Sequence, residues 1–562
     1  MGQGRVADVS AAGRRVRWSR LALSLSVASF LKVSTVPLTA YISEYLPWTG
    51  KLSPPLAYAN YTDFVSAELS RSRAMYSNAT IPDDSLYFVD KPNNAQVARA
   101  LLRLGRPPSM SFRTCFETQL PGLPGLVFYT NRTMEMLCAA MVAPNASAVD
   151  WTTQGSCFQA TLCTLSTGYV CFWLQPGNVV HRGSSDATAM TLTYIYYESR
   201  FGPWIWFKFG YRLASTLFVW YRLWHGYYKH VYALDRVLQR QGHRATLPSG
   251  VWSYELVVGD PTAIILMDPS VATLYFVDIW LSVTNLAVAI MQVAQTGSLE
   301  HVFRSTWYLS RTVWFAYWGL CLVSFFLKRF RKERLFADVD PTILAMAVMV
   351  YGPLLTWMNG HIPVFTWLYQ WTFTVGVPPG SANQVIESCL GCIVYVQLIT
   401  SIPLLYGLTT PYFNTARRAK QLKADIDYAS FHYNNIKNRV TLGTLRRRPP
   451  RQKARGGTVH AIMETYPQLK ATPTINLRAT DCFVLCYCDG QLYERLRVSL
   501  LQCLDRRSAD EVIAHSTEPS EFVVNLLRPA PLFDLRDKGA GPTPPSKPYA
   551  MHHATTLSVW CI

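Results

Sequence analysis

Hydrophobic residues in this chain gather into runs of about twenty, the length a lipid bilayer demands of a helix. The runs cover residues 21–42, 203–224, 271–295, 307–327, 341–358 and 385–408. Between the first two the pattern shortens. Residues 191–197 mix threonine, isoleucine and tyrosine, which suit a pleated surface, and Pro176-Gly177 and Gly183-Ser184 mark turns. In the tail, two apolar runs at 482–488 and 492–498 flank Asp489-Gly490, a strong hairpin signal. Asp268-Pro269 and Asp340-Pro341 stand before the third and fifth runs. Aspartate at the cap with proline at the first helical position suits a helix start. Asp260-Pro261-Thr262 echoes Asp340-Pro341-Thr342, and a shared capping device explains the echo more simply than an internal duplication.

The pattern predicts an α-helical multi-pass membrane protein of about six transmembrane helices. A β-containing lumenal or extracellular domain and a small α+β cytosolic tail module complete it. The expected order is a basic N-terminus (1–20), a signal anchor (21–42), an outer domain (43–202), a second span (203–224) and an inner loop (225–270). Two spans (271–295 and 307–327), a basic loop (328–340), a fifth span (341–358), an outer or re-entrant loop (359–384) and a sixth span (385–408) come next. A basic linker (409–457), a folded module (458–530) and a disordered end (531–562) finish the chain.

Composition sharpens this. Only 16% of residues are charged, where soluble domains run near a quarter. The net charge of +18 is concentrated beside the apolar runs and in the tail, which argues for membrane-flanking charge and against nucleic acid. Arg14, Arg15, Arg17 and Arg20 precede the first run, and Lys328 to Arg334 follow the fourth. The second run carries Lys208, Arg212 and Arg222, each costly at mid-bilayer. Parity still requires it to cross, because otherwise the 328–334 cluster would lie outside. Lys208 and Arg222 sit near its ends and are expected to snorkel, whereas Arg212 needs a partner inside the bundle.

All four N-glycosylation sequons, at Asn60, Asn78, Asn131 and Asn145, fall between the first two runs. Such sites are used only on the lumenal side, so both termini are expected in the cytosol of a plasma-membrane or endomembrane protein. Five of the thirteen cysteines share that region: Cys115, Cys138, Cys157, Cys163 and Cys171. They are disulfide candidates of undetermined pairing, and the odd number leaves one over. Arg446, Arg447, Arg448, Arg451, Lys453 and Arg455 form a basic stretch suited to a solvated linker or to anionic lipid headgroups. Cys482, Cys486 and Cys488 lack the spacing of a zinc finger or ribbon and read as strand residues. No catalytic motif, metal site or cofactor motif is recognisable.

Candidate chemistry within the membrane rests on Asp278, with Asn285 seven residues on along roughly the same helix face. Its partner is expected to be Arg212, Arg311 or a proton. In the loop 359–384, His361 and the aromatic run through Trp367, Tyr369 and Trp371 lead to Thr374-Val375-Gly376-Val377 and Pro378-Pro379-Gly380. This reads either as an interfacial aromatic belt or as a pore loop. The layout of six spans with a large glycosylated first loop resembles the mucolipin and polycystin group of cation channels. That resemblance implies a channel, although Val377 stands where a potassium filter has an aromatic. The expected function is therefore a membrane glycoprotein that binds, senses or scaffolds through an unidentified outer ligand, or else a six-span cation channel or transporter using Asp278 and the 359–384 loop.

Overall fold

A computed structural model describes residues 15–49, 58–77, 80–81, 86–103, 111, 114–115, 119–120, 123, 131–142, 154–162, 165–176, 189–199, 202–240, 250–266, 268–295, 299–362, 364–365, 367–368, 371, 385–386, 388–413, 453–465, 467–505, 514–515, 550–551 and 559–561. Two sheets are joined by a layer of helices.

The first sheet gathers distant segments. β1 (Arg15–Trp18) lies parallel to β7 (Trp252–Val257), and β7 pairs antiparallel with β10 (Cys482–Cys488). β10 forms the expected hairpin with β11 (Gln491–Leu500). Asp489 and Gly490 take φ of 50° and 80°, the left-handed pair that a tight hairpin turn requires. β9 (Lys453–Gly456) and β14 (Trp560–Cys561) share the far edge of β11. Trp560 and Cys561 were expected within a disordered end. Instead they are buried, and Trp560 Nε1 donates to the His230 carbonyl at 2.9 Å. A separate short pair joins β12 (Ala514–His515) to β13 (Ala550–Met551).

The second sheet runs in the order β2 (Tyr87–Asp90), β3 (Ala95–Arg103), β6 (Ala189–Glu198), β5 (Leu165–Pro176), β4 (Gly155–Leu162) and β8 (Val385–Ile386). Two disulfides tie this region. Cys157 and Cys171 are direct cross-strand neighbours of β4 and β5, while Cys115 bonds Cys138 on the helix Asn131–Val142. Cys163 lies outside the described residues.

The connecting helices are α1 (Arg20–Ser34), α2 (Tyr61–Met75), α3 (Asn131–Val142), α4 (Gly202–Leu223), α5 (Lys229–Arg240), α6 (Pro269–Trp280), α7 (Val283–Gln295), α8 (Leu299–Leu309), α9 (Val313–Arg329), α10 (Pro341–His361), α11 (Ser388–Thr400) and α12 (Ile402–Phe413). The aspartate caps are present. Asp268 Oδ1 accepts from Ser270 N at 3.0 Å, and Asp340 Oδ1 accepts from Thr342 N at 2.8 Å. Asp260 Oδ1 makes the same contact with Thr262 N at 3.0 Å, so one capping device recurs.

Among the described residues, three helical stretches are long and apolar enough to cross a membrane: Leu299–Arg329, Pro341–Met358 and Ile393–Pro411. A fourth is added if Pro269–Trp280 and Val283–Ile290, bent by 69°, count as one. The six expected from hydropathy are not supported by this measure. α1 stops after 15 residues, where Thr35 to Pro37 lead into a 3₁₀ turn, and α4 carries three basic residues.

The chain nevertheless passes repeatedly from one sheet to the other. It leaves β1 through α1, reaches the second sheet, and returns through α4 to β7. α6 and α7 lead back, and Gln292 Nε2 at the end of α7 donates to Tyr87 Oη of β2. α8 and α9 return, with Lys328 Nζ 2.7 Å from Asp505 just past β11. α10 leads to β8. α11 and α12 come back to the first sheet's side, where the Gly407 carbonyl accepts from Ala337 N at 2.9 Å.

Candidate functional site

α4 is folded inside out. Its buried residues are Lys208, Arg212, Ser215, Thr216, Val219 and Leu223, which follow a helical repeat down one face. The opposite face exposes Trp206, Phe207, Leu213, Leu217, Trp220 and Tyr221. A helix in water does the reverse. Charge turned inward and aromatics turned outward is the arrangement that apolar surroundings favour.

The inward charges meet a cluster between α4, α6 and the turn joining α8 to α9. Arg212 Nε donates to Asp278 Oδ1 at 2.8 Å, and Arg212 Nη2 donates to Glu44 Oε1 at 2.8 Å and to Ser282 Oγ at 2.7 Å. Arg311 Nη2 takes the other Asp278 oxygen, and its Nη1 lies 3.7 Å from Glu44 Oε1. Lys208 Nζ is 3.2 Å from Glu44 Oε2, and Tyr308 Oη donates to Glu44 at 2.7 Å. Tyr41 and Tyr308 present their rings to the two guanidinium groups, with Cζ 4.8 Å and 5.1 Å from the ring centroids. All five charged side chains are at most 8% exposed.

Sequence reasoning named Asp278, Arg212 and Arg311. The structure brings all three together, and Arg212 finds its expected partner. It missed Glu44, which lies just past the end of the first apolar run. The available signal was that no acidic residue stands between Asp8 and Glu44. Lys208, expected to snorkel, pairs with Glu44 instead because the Glu44 segment folds against α4. Arg222 reaches Asp268 at the other end of α4 and stays half exposed. Asn285 is buried, and both polar atoms of its amide lack a hydrogen-bond partner. With both oxygens held by guanidinium groups, Asp278 is a clamp between helices rather than a free carboxylate.

A cavity of about 30 Å³ lies beyond the cluster, lined among others by Ile290, Thr306, Ser310, Thr356 and Thr400. It has room for about one water molecule. The 359–384 loop is mostly outside the described residues, and so are Thr374 to Gly380. Of the sequon asparagines, Asn60 is exposed at the N-terminus of α2 and Asn131 begins α3, whereas Asn78 and Asn145 lie outside the described residues. In the basic stretch, Lys453 and Arg455 belong to β9, paired with Glu494 to Arg497. Arg446, Arg447, Arg448 and Arg451 lie outside the described residues.

The tail module has its own buried polar centre. His460 Nε2 is 2.7 Å from Asp481 Oδ2, and Arg497 Nε donates to the same oxygen at 2.6 Å. Burial raises the Asp481 carboxyl, but His460 and Arg497 outweigh it and hold the group below its usual range. Burial pushes His460 down, against the pull of Asp481. Ser499 Oγ lies 3.4 Å from the same Nε2. A hydrolase triad uses both imidazole nitrogens, one toward the serine and one toward the carboxylate. Here a single nitrogen faces both, and all three side chains are buried, so the group is a structural network. Cys482 and Cys486 are buried in β10, and burial pushes the Cys482 thiol up to about 12. Such a thiol is inert.

No protein-family model, curated protein or solved structure matches this chain.

Proposed function

We propose that this protein is a multi-pass membrane glycoprotein that holds two folded domains on opposite faces of a bilayer, acting as a binding or scaffold protein rather than a conduit. The observation that carries the reading is the inside-out α4. It accounts for a crossing segment that length-and-hydropathy criteria pass over, because its basic groups are spent on Glu44, Asp278 and Asp268 within the bundle. Counted with α1, the bent α6–α7 pair, α8–α9, α10 and α11–α12, it gives six crossings. Exposed Val350, Leu354 and Trp357 on α10, and Phe325 and Phe326 on α9, fit the same lipid contact.

On this reading the second sheet, near Asn60 and Asn131, is lumenal or extracellular, and the disulfides there match an oxidising compartment. β1, β7 and β9–β11 are cytosolic. The saturated Asp278 disfavours transport. Flux of monovalent and divalent cations into vesicles holding the reconstituted full chain tests this, with Asp278→Asn alongside. The account expects no flux above empty vesicles. A cation flux abolished by Asp278→Asn would establish the transport reading instead.

A further inference from the structure

We propose that the α4–α6 ion cluster is a binding site for a small monovalent inorganic anion of about chloride's size. The charge balance is the first ground. Lys208, Arg212 and Arg311 face only Glu44 and Asp278, which leaves one positive charge uncompensated among side chains at most 8% exposed. Two of the three cations are arginines, which do not give up a proton in proteins. An unbalanced buried charge is costly, so a counter-charge at the cluster stabilises it.

The donor inventory is the second, independent ground. Arg212 spends Nε and Nη2 on Asp278, Glu44 and Ser282, while its Nη1 is buried with no hydrogen-bond partner. Arg311 Nε is likewise buried and unpartnered. Asn285 lies three residues past Ser282, near the start of α7, and both atoms of its buried amide lack a partner. Buried donors of this kind are almost always satisfied. On the two guanidinium groups the surplus is of N–H donors around a net positive charge, so its complement is an acceptor bearing one negative charge. A cation would be repelled, and a divalent anion would overshoot the balance. The site would fasten the Glu44 segment, α4, α6 and the Ser310–Thr312 turn to one another. It depends on burial and pairing alone, so it stands whichever way the chain is oriented in a membrane.

The test uses the full chain purified in detergent, with Tm measured while chloride replaces gluconate at constant ionic strength. The expected result is a saturable rise of several degrees, reproduced by bromide, because a ligand bound only to the folded state stabilises it by mass action. Lys208→Met removes the surplus charge while leaving the four arginine–carboxylate pairs. It is expected to abolish the chloride response and to match or exceed the wild-type Tm in gluconate. A wild-type Tm indifferent to halide, or a Lys208→Met response equal to wild type, would overturn the site. Should that variant not fold, chloride-35 line broadening by the wild-type chain, displaced by bromide, decides the matter. Saturable broadening supports the site, and none overturns it.

Discussion

At Asp278 the two carboxylate oxygens are taken by two different arginines, and this decides what the residue does. Removing one partner of a buried ion pair leaves an unbalanced charge and costs about 3–5 kcal/mol. Asp278→Asn doubles the surplus positive charge of the cluster and is expected to lower unfolding stability by that order in detergent, whereas Arg212→Met, which leaves Lys208 and Arg311 balanced against Glu44 and Asp278, is expected to cost less. The double variant restores the wild-type charge balance of the cluster and should cost less than the sum, because both changes act on one contact. Additive losses would mean that the contact is not formed. His460 supplies a pH prediction. Its folded pKa lies below the ordinary 6.5, so as pH falls through that value the unfolded chain takes a proton that the folded module refuses. Stability is fully present above about 6.5 and declines below it. His460→Gln keeps a donor near the Nε2 position and is expected to flatten the decline between pH 7 and 5.5, read by denaturant titration. An unchanged slope would assign the titration to another group.

Local chemistry explains which elements were legible in the sequence. Asp489-Gly490 and the Asp-Pro caps work through neighbours two or three residues away, so the hairpin and the helix starts could be read directly. β1 and β7 could not. They are four and six residues long, and they find one another across more than two hundred positions, with no local signal of partnership. The joining of the tail module to the N-terminus and to the segment after α4 was hidden for the same reason. Glu44 escaped notice because its role is set by the fold of the Leu38–Ile42 turn, not by its sequence neighbours. Gly168 in β5 tests the second sheet. Its φ is +157°, and a Cβ there would meet the Tyr197 carbonyl oxygen of β6 at 2.0 Å. Gly168→Ala should shift Tm down by several degrees, through backbone displacement where β5 meets β6. An unchanged Tm would mean that the strands are not paired as described.

For the whole molecule, two independent signals meet. A helix that buries charge and exposes aromatics suits apolar surroundings, and two sheets built from alternating stretches of chain require the chain to return between them. β1, β7, β10 and β11 come from the N-terminus, the loop after α4 and the tail, so all three must occupy one compartment whatever its identity. Truncating residues 1–18 removes the edge strand beside β7, and should expose β7 to proteolysis. Protection unchanged by the truncation would contradict the pairing.

The most direct measurement is labelling of single introduced cysteines by a membrane-impermeant maleimide, in intact cells or sealed microsomes, in a Cys488→Ser background. Exposed Arg17, Val251 and Tyr493 report on the first sheet, and exposed Asn60 reports on the approach to the second. The account predicts that Arg17→Cys, Val251→Cys and Tyr493→Cys react as one group, and that Asn60→Cys reacts only from the opposite side. Labelling of Asn60→Cys from the same side as Tyr493→Cys would contradict it.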